Sequence, residues 1–352
     1  MFIPSLRRVC APLLSLLLFA CGAACAGEPA IHRIPGHVFG TAVEVAIYGE
    51  SEERAEQMGA AVLNEFDRLH HKFHAWQPSA LTALNDAIAR GETYQGDAEM
   101  VDLLQSAGRL AARSDNLFNP AIGGLIRLWG FQSSDIEVHA PAAAEIRRWV
   151  DAKPRMSDLR YDGTRISSRN KAVMLDLGGY AKGYALDRAA ALLRAQHVRA
   201  ALVNIGGNVL AIGQPGARPW RVGVRDPRGA GAVAQLELFD NEAIGTSGDY
   251  QRYFMNKGKR HPHIIDPRSG ETIDLVASVT IIASGGATPG IDSDGPSKPL
   301  FIAGPKQWEG VARRLGLSHV MLIDADGKVA LTPAMRARMV RADGARAALM
   351  EH

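Results

Sequence analysis

Apolar and polar residues alternate from Thr41 to Tyr48, with Val43, Val45 and Ile47 on one side. That period of two predicts a strand. The period then changes. Ser51 is a suitable N-cap, and Met58, Val62, Phe66, Leu69 and Phe73 recur three and four residues apart, which predicts a helix. Asp97 caps a second predicted helix through Leu103, Leu104, Ala107 and Leu110. Ala172 to Leu177 reads as a strand running into Gly178-Gly179, followed by a helix from about Tyr180 to Gln196. A strand from Ala200 to Asn204 then ends in Ile205-Gly206-Gly207. Together these predict a βαβ-like unit with Gly-Gly at the end of each strand. Strands are predicted at Val209–Ile212, Trp220–Val224, Val233–Phe239 and Leu275–Ile282. Pro305 suits the first turn of a helix through Trp308, Val311 and Leu315. His319–Ile323 and Lys328–Leu331 predict a hairpin. With no internal repeat and no low-complexity linker, the expected fold class is α+β: one mixed domain, optionally in two lobes, with residues 336–352 peripheral.

Composition narrows the function classes. Of 352 residues, 47% are hydrophobic and 22% charged, which excludes a disordered chain and a coiled coil. The net charge of +3 lacks the basic excess that nucleic-acid binding needs, so no nucleic-acid partner is expected. The first 26 residues read as an export signal, with Arg7 and Arg8, an apolar run from Leu13 to Ala20, and Ala24-Cys25-Ala26 as a cleavage pattern. Leu18-Phe-Ala-Cys21-Gly22 also resembles a bacterial lipobox, which would lipidate Cys21 and attach the protein to a membrane. Both readings place the protein in the periplasm or on the periplasmic face of a membrane. Cys10, Cys21 and Cys25 all lie in this segment, so cleavage after Ala26 leaves no cysteine and excludes disulfides and thiolate catalysis.

Three clusters carry chemistry. In Asp176-Leu-Gly-Gly-Tyr-Ala-Lys-Gly-Tyr-Ala-Leu-Asp187, glycines before a helix N-terminus let backbone N–H groups approach an anion, and Lys182 adds a full charge. The plain alternative is a tight turn that needs glycine for positive φ. Gly245-Thr-Ser-Gly-Asp-Tyr250 and His261-Pro-His-Ile-Ile-Asp-Pro-Arg-Ser-Gly270 bring hydroxyls, two histidines and Asp266 within 26 residues; the second run is also simply a good turn. Gly290-Ile-Asp-Ser-Asp-Gly-Pro-Ser-Lys298 offers carboxylates and hydroxyls near a helix start, suited to Mg²⁺ or to ordinary capping. His70 and His74 stand at i and i+4 on a helix, so two zinc ligands are geometrically possible, but the neighbouring pattern favours a solvated helix edge.

Phe118-Asn-Pro-Ala-Ile-Gly123 with Leu128-Trp-Gly-Phe131, Asp176-Leu-Gly-Gly-Tyr-Ala-Lys-Gly-Tyr184, Asn204-Ile-Gly-Gly-Asn208, Thr246-Ser-Gly-Asp-Tyr250 and His263-Ile-Ile-Asp-Pro-Arg-Ser-Gly270 occur in one order. In that order they resemble the ApbE family of FAD:protein FMN transferases. Phe66-Asp-Arg-Leu69 and Ser79-Ala-Leu-Thr-Ala-Leu-Asn85 resemble its N-terminal motif. The resemblance covers about residues 33–335. It implies an ApbE-like, T-fold-related domain that binds FAD and Mg²⁺, transfers FMN to a Thr or Ser hydroxyl of an acceptor protein as a phosphoester, and releases AMP. It implies FAD contacts from Trp76, Asp176, Gly178, Gly179, Lys182, Asp187, Gly206, Gly207, Thr246, Ser247, Gly248 and His263. It implies catalytic roles for His263 and Asp266, with the Ala181 carbonyl and Asp294 as Mg²⁺ ligands.

One position departs from the family pattern. Where the family usually reads Asp-Ala-x-x-Thr-Ala, this chain reads Asp294-Gly-Pro-Ser-Lys298-Pro. A protonated lysine cannot ligate a metal. Three readings stand open: Ser297 or Asp292 supplies the missing oxygen, Lys298 takes part of the cation's role at the pyrophosphate, or FAD is bound without efficient turnover. An FAD pyrophosphatase and a flavin-binding protein without chemistry are the alternative functions.

Overall fold

The computed structural model describes residues 30–340, apart from 134, 136 and 137. The expected leader and lipidation site lie outside the described residues, as do residues 341–352.

An eight-stranded sheet organises the chain. Its order across is Ile31–Val38, Thr41–Tyr48, Ala200–Ile205, Asn208–Ile212, Glu242–Gly248, Val276–Ser284, His319–Asp324 and Val329–Leu331. Every neighbouring pair is antiparallel. Because side chains alternate across a strand, the two faces take different sets of apolar residues. Val43, Val45, Ile47, Val203, Ile205, Leu210, Val279 and Ile281 bury themselves among the helices Glu52–Phe73, Ala181–Ala195 and Ser297–Leu315. Val209, Ala211, Ile244, Ile282, Met321 and Ile323 belong to a second core. There they pack with a three-stranded sheet of Trp220–Arg225, Ala232–Leu238 and Met339–Val340. A fully buried Val, Leu or Ile contributes about 1.5–3 kcal/mol, so two such faces make this sheet the backbone of the fold. Residues 336–340 are therefore not peripheral: Met339 and Val340 pair with Leu236 and Gln235, and Arg338 pairs with Glu242.

The helix caps fall where expected. Ser51 accepts from the Arg54 N–H and Asp97 from the Met100 N–H. Pro305 begins a helix directly after Gly304, whose φ of 71° interrupts the helical path.

The βαβ-like unit does not form. Ala200–Ile205 turns through Gly206-Gly207 into an antiparallel partner, and Ala172–Leu177 joins no sheet. That segment is extended, but its bonds go elsewhere. Met174 N–H donates to Ala121, Asp176 N–H to Pro120, and the Asn85 side chain exchanges two bonds with Leu175 at 2.9 and 2.7 Å. Asn85 sits on an unpredicted helix, Ala80–Arg90, which Ser79 and Thr82 start with a capping box. The strand Glu242–Gly248 was also missed. It lies between Asn208–Ile212 and Val276–Ser284 and carries two glycines that read as loop. Gly245 is there because a Cβ would stand 2.4 Å from the Ser293 carbonyl oxygen, where the helix Pro289–Asp294 lies flat on the strand.

Candidate active site

One end of the sheet opens into a cavity of about 640 Å³. This is within the usual range for small-molecule sites. The turns at Phe39–Thr41 and Gly206-Gly207 and the strand end at Thr246-Ser247 form its sheet side. Phe39, Phe73, Trp76, Phe118 and Ile126 give it an apolar part. Lys182, Arg225, Arg252 and Lys298 give it four cationic side chains against one lining carboxylate, Asp176.

Gly178-Gly179 leads into the helix Ala181–Ala195, with the Tyr180 and Ala181 N–H groups bonded back to Leu177. Asp176 holds the turn from both sides, accepting from Gly178 N–H at 2.9 Å and from Gln132 at 2.9 Å. Neither glycine stands in the left-handed region. Gly179 leaves room for the Lys298 side chain, whose Cε would stand 3.2 Å from a Cβ there. Gly206 and Gly207 differ: their φ values of 56° and 94° make the hairpin turn, and Asn204 caps it through Gly207 N–H. Ser247 meets Ser297 hydroxyl to hydroxyl at 2.7 Å, and Thr246 meets Thr280 at 3.0 Å.

His263 lines the same cavity as the two lysines. Its Nδ1 lies 3.2 Å from the Arg252 carbonyl oxygen. A carbonyl only accepts, so Nδ1 carries the hydrogen and Nε2 keeps a lone pair. Burial, with Lys182, Arg252 and Lys298 nearby, pushes the imidazole down to about 3, so it is neutral at ordinary pH. Arg252 is fixed by the carbonyls of Phe131 and Ser133 at 2.8 and 2.6 Å and lies over the Trp76 ring.

Several expected residues lie behind the wall. Asp266 accepts from the Arg268 guanidinium at 2.7 Å and its carbonyl closes a turn with Gly270, so it shapes the loop that holds His263 and does not face the cavity. Asp187 caps the helix Pro289–Asp294, accepting from the Gly290 and Ile291 N–H groups at 2.7 and 2.9 Å. Gly248 is buried off the wall, making room for the Tyr250 ring. Asp249, next to it, is buried in a two-bond pair with Arg228. His261 is stacked between Trp129 and Phe254 and bonded to Thr272, which makes it part of the packing. The solvated-edge expectation for His70 and His74 fails, since both line the cavity. His74 is buried and its Nδ1 accepts from the Trp76 and Gln77 N–H groups, so it closes the helix end and sets Trp76 in place. The sequence reading missed Arg225 and Arg252. Arg252 stands two residues past the Tyr250 motif, a usable signal, whereas Arg225 is 25 residues away and meets the Tyr250 ring only in the fold.

The ApbE family model matches residues 39–321. This chain belongs to the ApbE family. A Rhodobacter capsulatus protein named FAD:protein FMN transferase is 41% identical over 308 residues, which cover 88% of this chain and 58% of that protein. The chain thus spans little more than half of that relative's length. A Klebsiella pneumoniae protein of the same name is 29% identical over 87% of this chain and 89% of its own. The crystal structure of the ApbE protein of Thermotoga maritima superposes with a TM-score of 0.81 at 29% identity, over 89% of this chain and all of that one. That of the Pseudomonas stutzeri flavinyl transferase ApbE superposes at 0.77 and 26% identity, over 90% and 99%. The mixed α+β architecture is that of the family.

The Mg²⁺ that membership implies does not suit the donors present. Lys298 Nζ bonds Asp294 Oδ1, and Gly183 N–H donates to Oδ2 at 2.9 Å. Lys298 and Ser297 also donate to the Asp294 carbonyl, at 2.9 and 2.6 Å. Asp292 is exposed, off the cavity wall, and accepts from Thr288. Among the described residues no group of three acidic or histidine side chains is placed to hold a metal.

Proposed function

We propose that this chain moves the FMN half of FAD onto a Thr or Ser hydroxyl of an acceptor protein and releases AMP. The observation that carries the reading is one cavity that joins an apolar part, a glycine turn with cations, and a neutral histidine with a free lone pair. The apolar part suits the ring systems of a flavin dinucleotide. The glycine turn, the N-terminus of the helix Ala181–Ala195 and Lys182 suit its pyrophosphate. His263 takes the acceptor's hydroxyl proton at Nε2 as the new phosphorus–oxygen bond forms and the bond to the AMP phosphate breaks. An imidazole held down to about 3 is a weak base. The two negative charges of a pyrophosphate facing Lys182 oppose that push, so His263 becomes a stronger base with substrate in place. Asp266 supports this step through its loop and takes no proton. No step is assigned to Mg²⁺.

Export belongs to the same proposal, supported by the leader pattern of residues 1–26, with the acceptor met outside the cytoplasm and attachment through Cys21 as the lipidated variant. Among the described residues no helix is long and apolar enough to cross a membrane. The test is incubation with FAD and an acceptor carrying a candidate Thr/Ser site, followed by the acceptor's mass and the AMP released. One FMN phosphoester per acceptor with equimolar AMP is expected. Free FMN with AMP would identify a pyrophosphatase, and bound FAD without AMP a flavin carrier.

A further inference from the structure

The corner behind the glycine turn holds a cation of the chain's own where a divalent ion would stand. We propose that the Lys298 ammonium replaces the metal at Asp294, so that this chain binds its pyrophosphate substrate with side-chain cations and no resident divalent ion. The inference rests on the flavin-transfer reading for the identity of that substrate, but its geometry does not. Asp294 is 1% exposed, and a carboxylate buried that deeply needs a partner. Lys298 supplies it from the first turn of the next helix, four residues on. The second oxygen is taken by Gly183 N–H at 2.9 Å, and the Ser297 hydroxyl spends its hydrogen on the Asp294 carbonyl at 2.6 Å. Ser247 fills the remaining side of Ser297 at 2.7 Å. A divalent ion at Asp294 Oδ1 would have to displace the Lys298 ammonium, a like charge already held there.

The local packing is built around the lysine. Its stem passes Gly179, where any Cβ would come 3.2 Å from Cε, and it reaches the same wall as Lys182. Counted together, Lys182, Arg225, Arg252 and Lys298 against Asp176 and Asp294 leave the cavity and its Asp294 corner with a charge of +2. A pyrophosphate diester carries about two negative charges, so the side chains match it without a metal.

Manganese reads the corner directly. Titrated with Mn²⁺ at micromolar concentration, the wild-type protein should leave the free-ion electron paramagnetic resonance signal undiminished. Flavin fluorescence should give FAD affinities in EDTA and in Mg²⁺ within about threefold. Capture of one Mn²⁺ per chain, or a tenfold weaker affinity in EDTA, overturns the inference. Neither measurement depends on a variant folding. Lys298→Thr should lose at least tenfold in FAD affinity in EDTA; affinity equal to wild type there also overturns it. The flavin-transfer reading fails separately, by the absence of FMN on the acceptor in every metal condition, while the Mn²⁺ spectrum still reports on Asp294.

Discussion

Two Gly-Gly turns meet at the same cavity, and they contain glycine for different reasons. At Gly206-Gly207 the backbone itself demands it, because both residues turn a hairpin with positive φ. At Gly178-Gly179 the backbone is ordinary, and the space a side chain would take belongs to Asp176 and Lys298. The first kind shapes the sheet end. The second lets a charged corner close on a helix N-terminus. Sequence shows only the dipeptide, so both read as Gly-Gly at the end of a strand. The difference lies in what stands beside each: open space at Gly207, a lysine stem at Gly179.

The strongest way to break the comparison lies four residues beyond the charged turn, at Gly183 in the first turn of the helix Ala181–Ala195. A Cβ at Gly183 would lie 2.4 Å from the Gly290 carbonyl oxygen and 2.8 Å from Cβ of Asp294. Backbone meets backbone there, and neither can give. Gly183→Ala should destabilise by about 3 kcal/mol, at the upper end of overpacking effects. Chemical denaturation measures it, and a loss under about 1 kcal/mol would mean the two helices are not locked together.

Lys182→Met tests the electrical half. Hydrogen bonds to charged groups contribute about 1.5–3 kcal/mol, so FAD affinity should fall roughly ten- to a hundredfold. Lys182 also helps hold the His263 imidazole below its ordinary value, so removing it should raise that pKa, read by the histidine ring protons in NMR. A histidine whose folded value is lowered contributes stability fully present above about pH 6.5, lost as pH falls from there toward 3. In Lys182→Met that loss should be smaller. An unmoved His263 titration would separate the turn from the histidine. Gly207→Ala is the matching control on the other turn. Its φ of 94° is strained for alanine, but nothing lies within 4 Å, so a loss of about 1 kcal/mol in stability is expected, with a smaller fall in FAD affinity than in Lys182→Met and no shift of the His263 titration.

The same contrast explains what was legible in the sequence. Periodic elements with their own caps, such as the helix from Ser51 and the hairpin at His319–Leu331, declare themselves through local spacing. Ala172–Leu177 has the composition of a strand, and only its partners, Asn85, Pro120 and Ala121, show that it joins no sheet. Glu242–Gly248 failed the other way: Gly245 and Gly248 answer to neighbours distant in sequence or folded back, and look like loop without them. The site residues followed the same rule. His263, Lys182 and Thr246 reached the cavity because strand ends and a helix start put them there. Asp187 and Asp266 carried matching motifs, yet their carboxylates cap a helix and pin a turn. A motif preserves scaffold and chemistry alike, and spacing alone does not separate them.

Gly179→Ala is the smallest expected effect and the sharpest discriminator. If the residue is glycine for space alone, alanine meets no backbone penalty, and the less flexible unfolded chain even favours folding by about 0.4–1 kcal/mol. Against that stands one contact, 3.2 Å to Cε and 3.7 Å to Cδ of Lys298, the far end of a flexible side chain. The two nearly cancel, so stability should change by less than about 0.5 kcal/mol. Binding should not be neutral. The methyl group pushes the lysine stem aside and narrows the approach to the turn, so FAD affinity should fall about threefold to tenfold, and the loss should vanish in a Lys298→Ala background where the stem is gone. Denaturation and flavin fluorescence on the two single variants and the double variant make that cycle. A loss of stability above about 1.5 kcal/mol in Gly179→Ala would show that this turn, like Gly206-Gly207, needs glycine for its backbone, and the distinction between the two would fall.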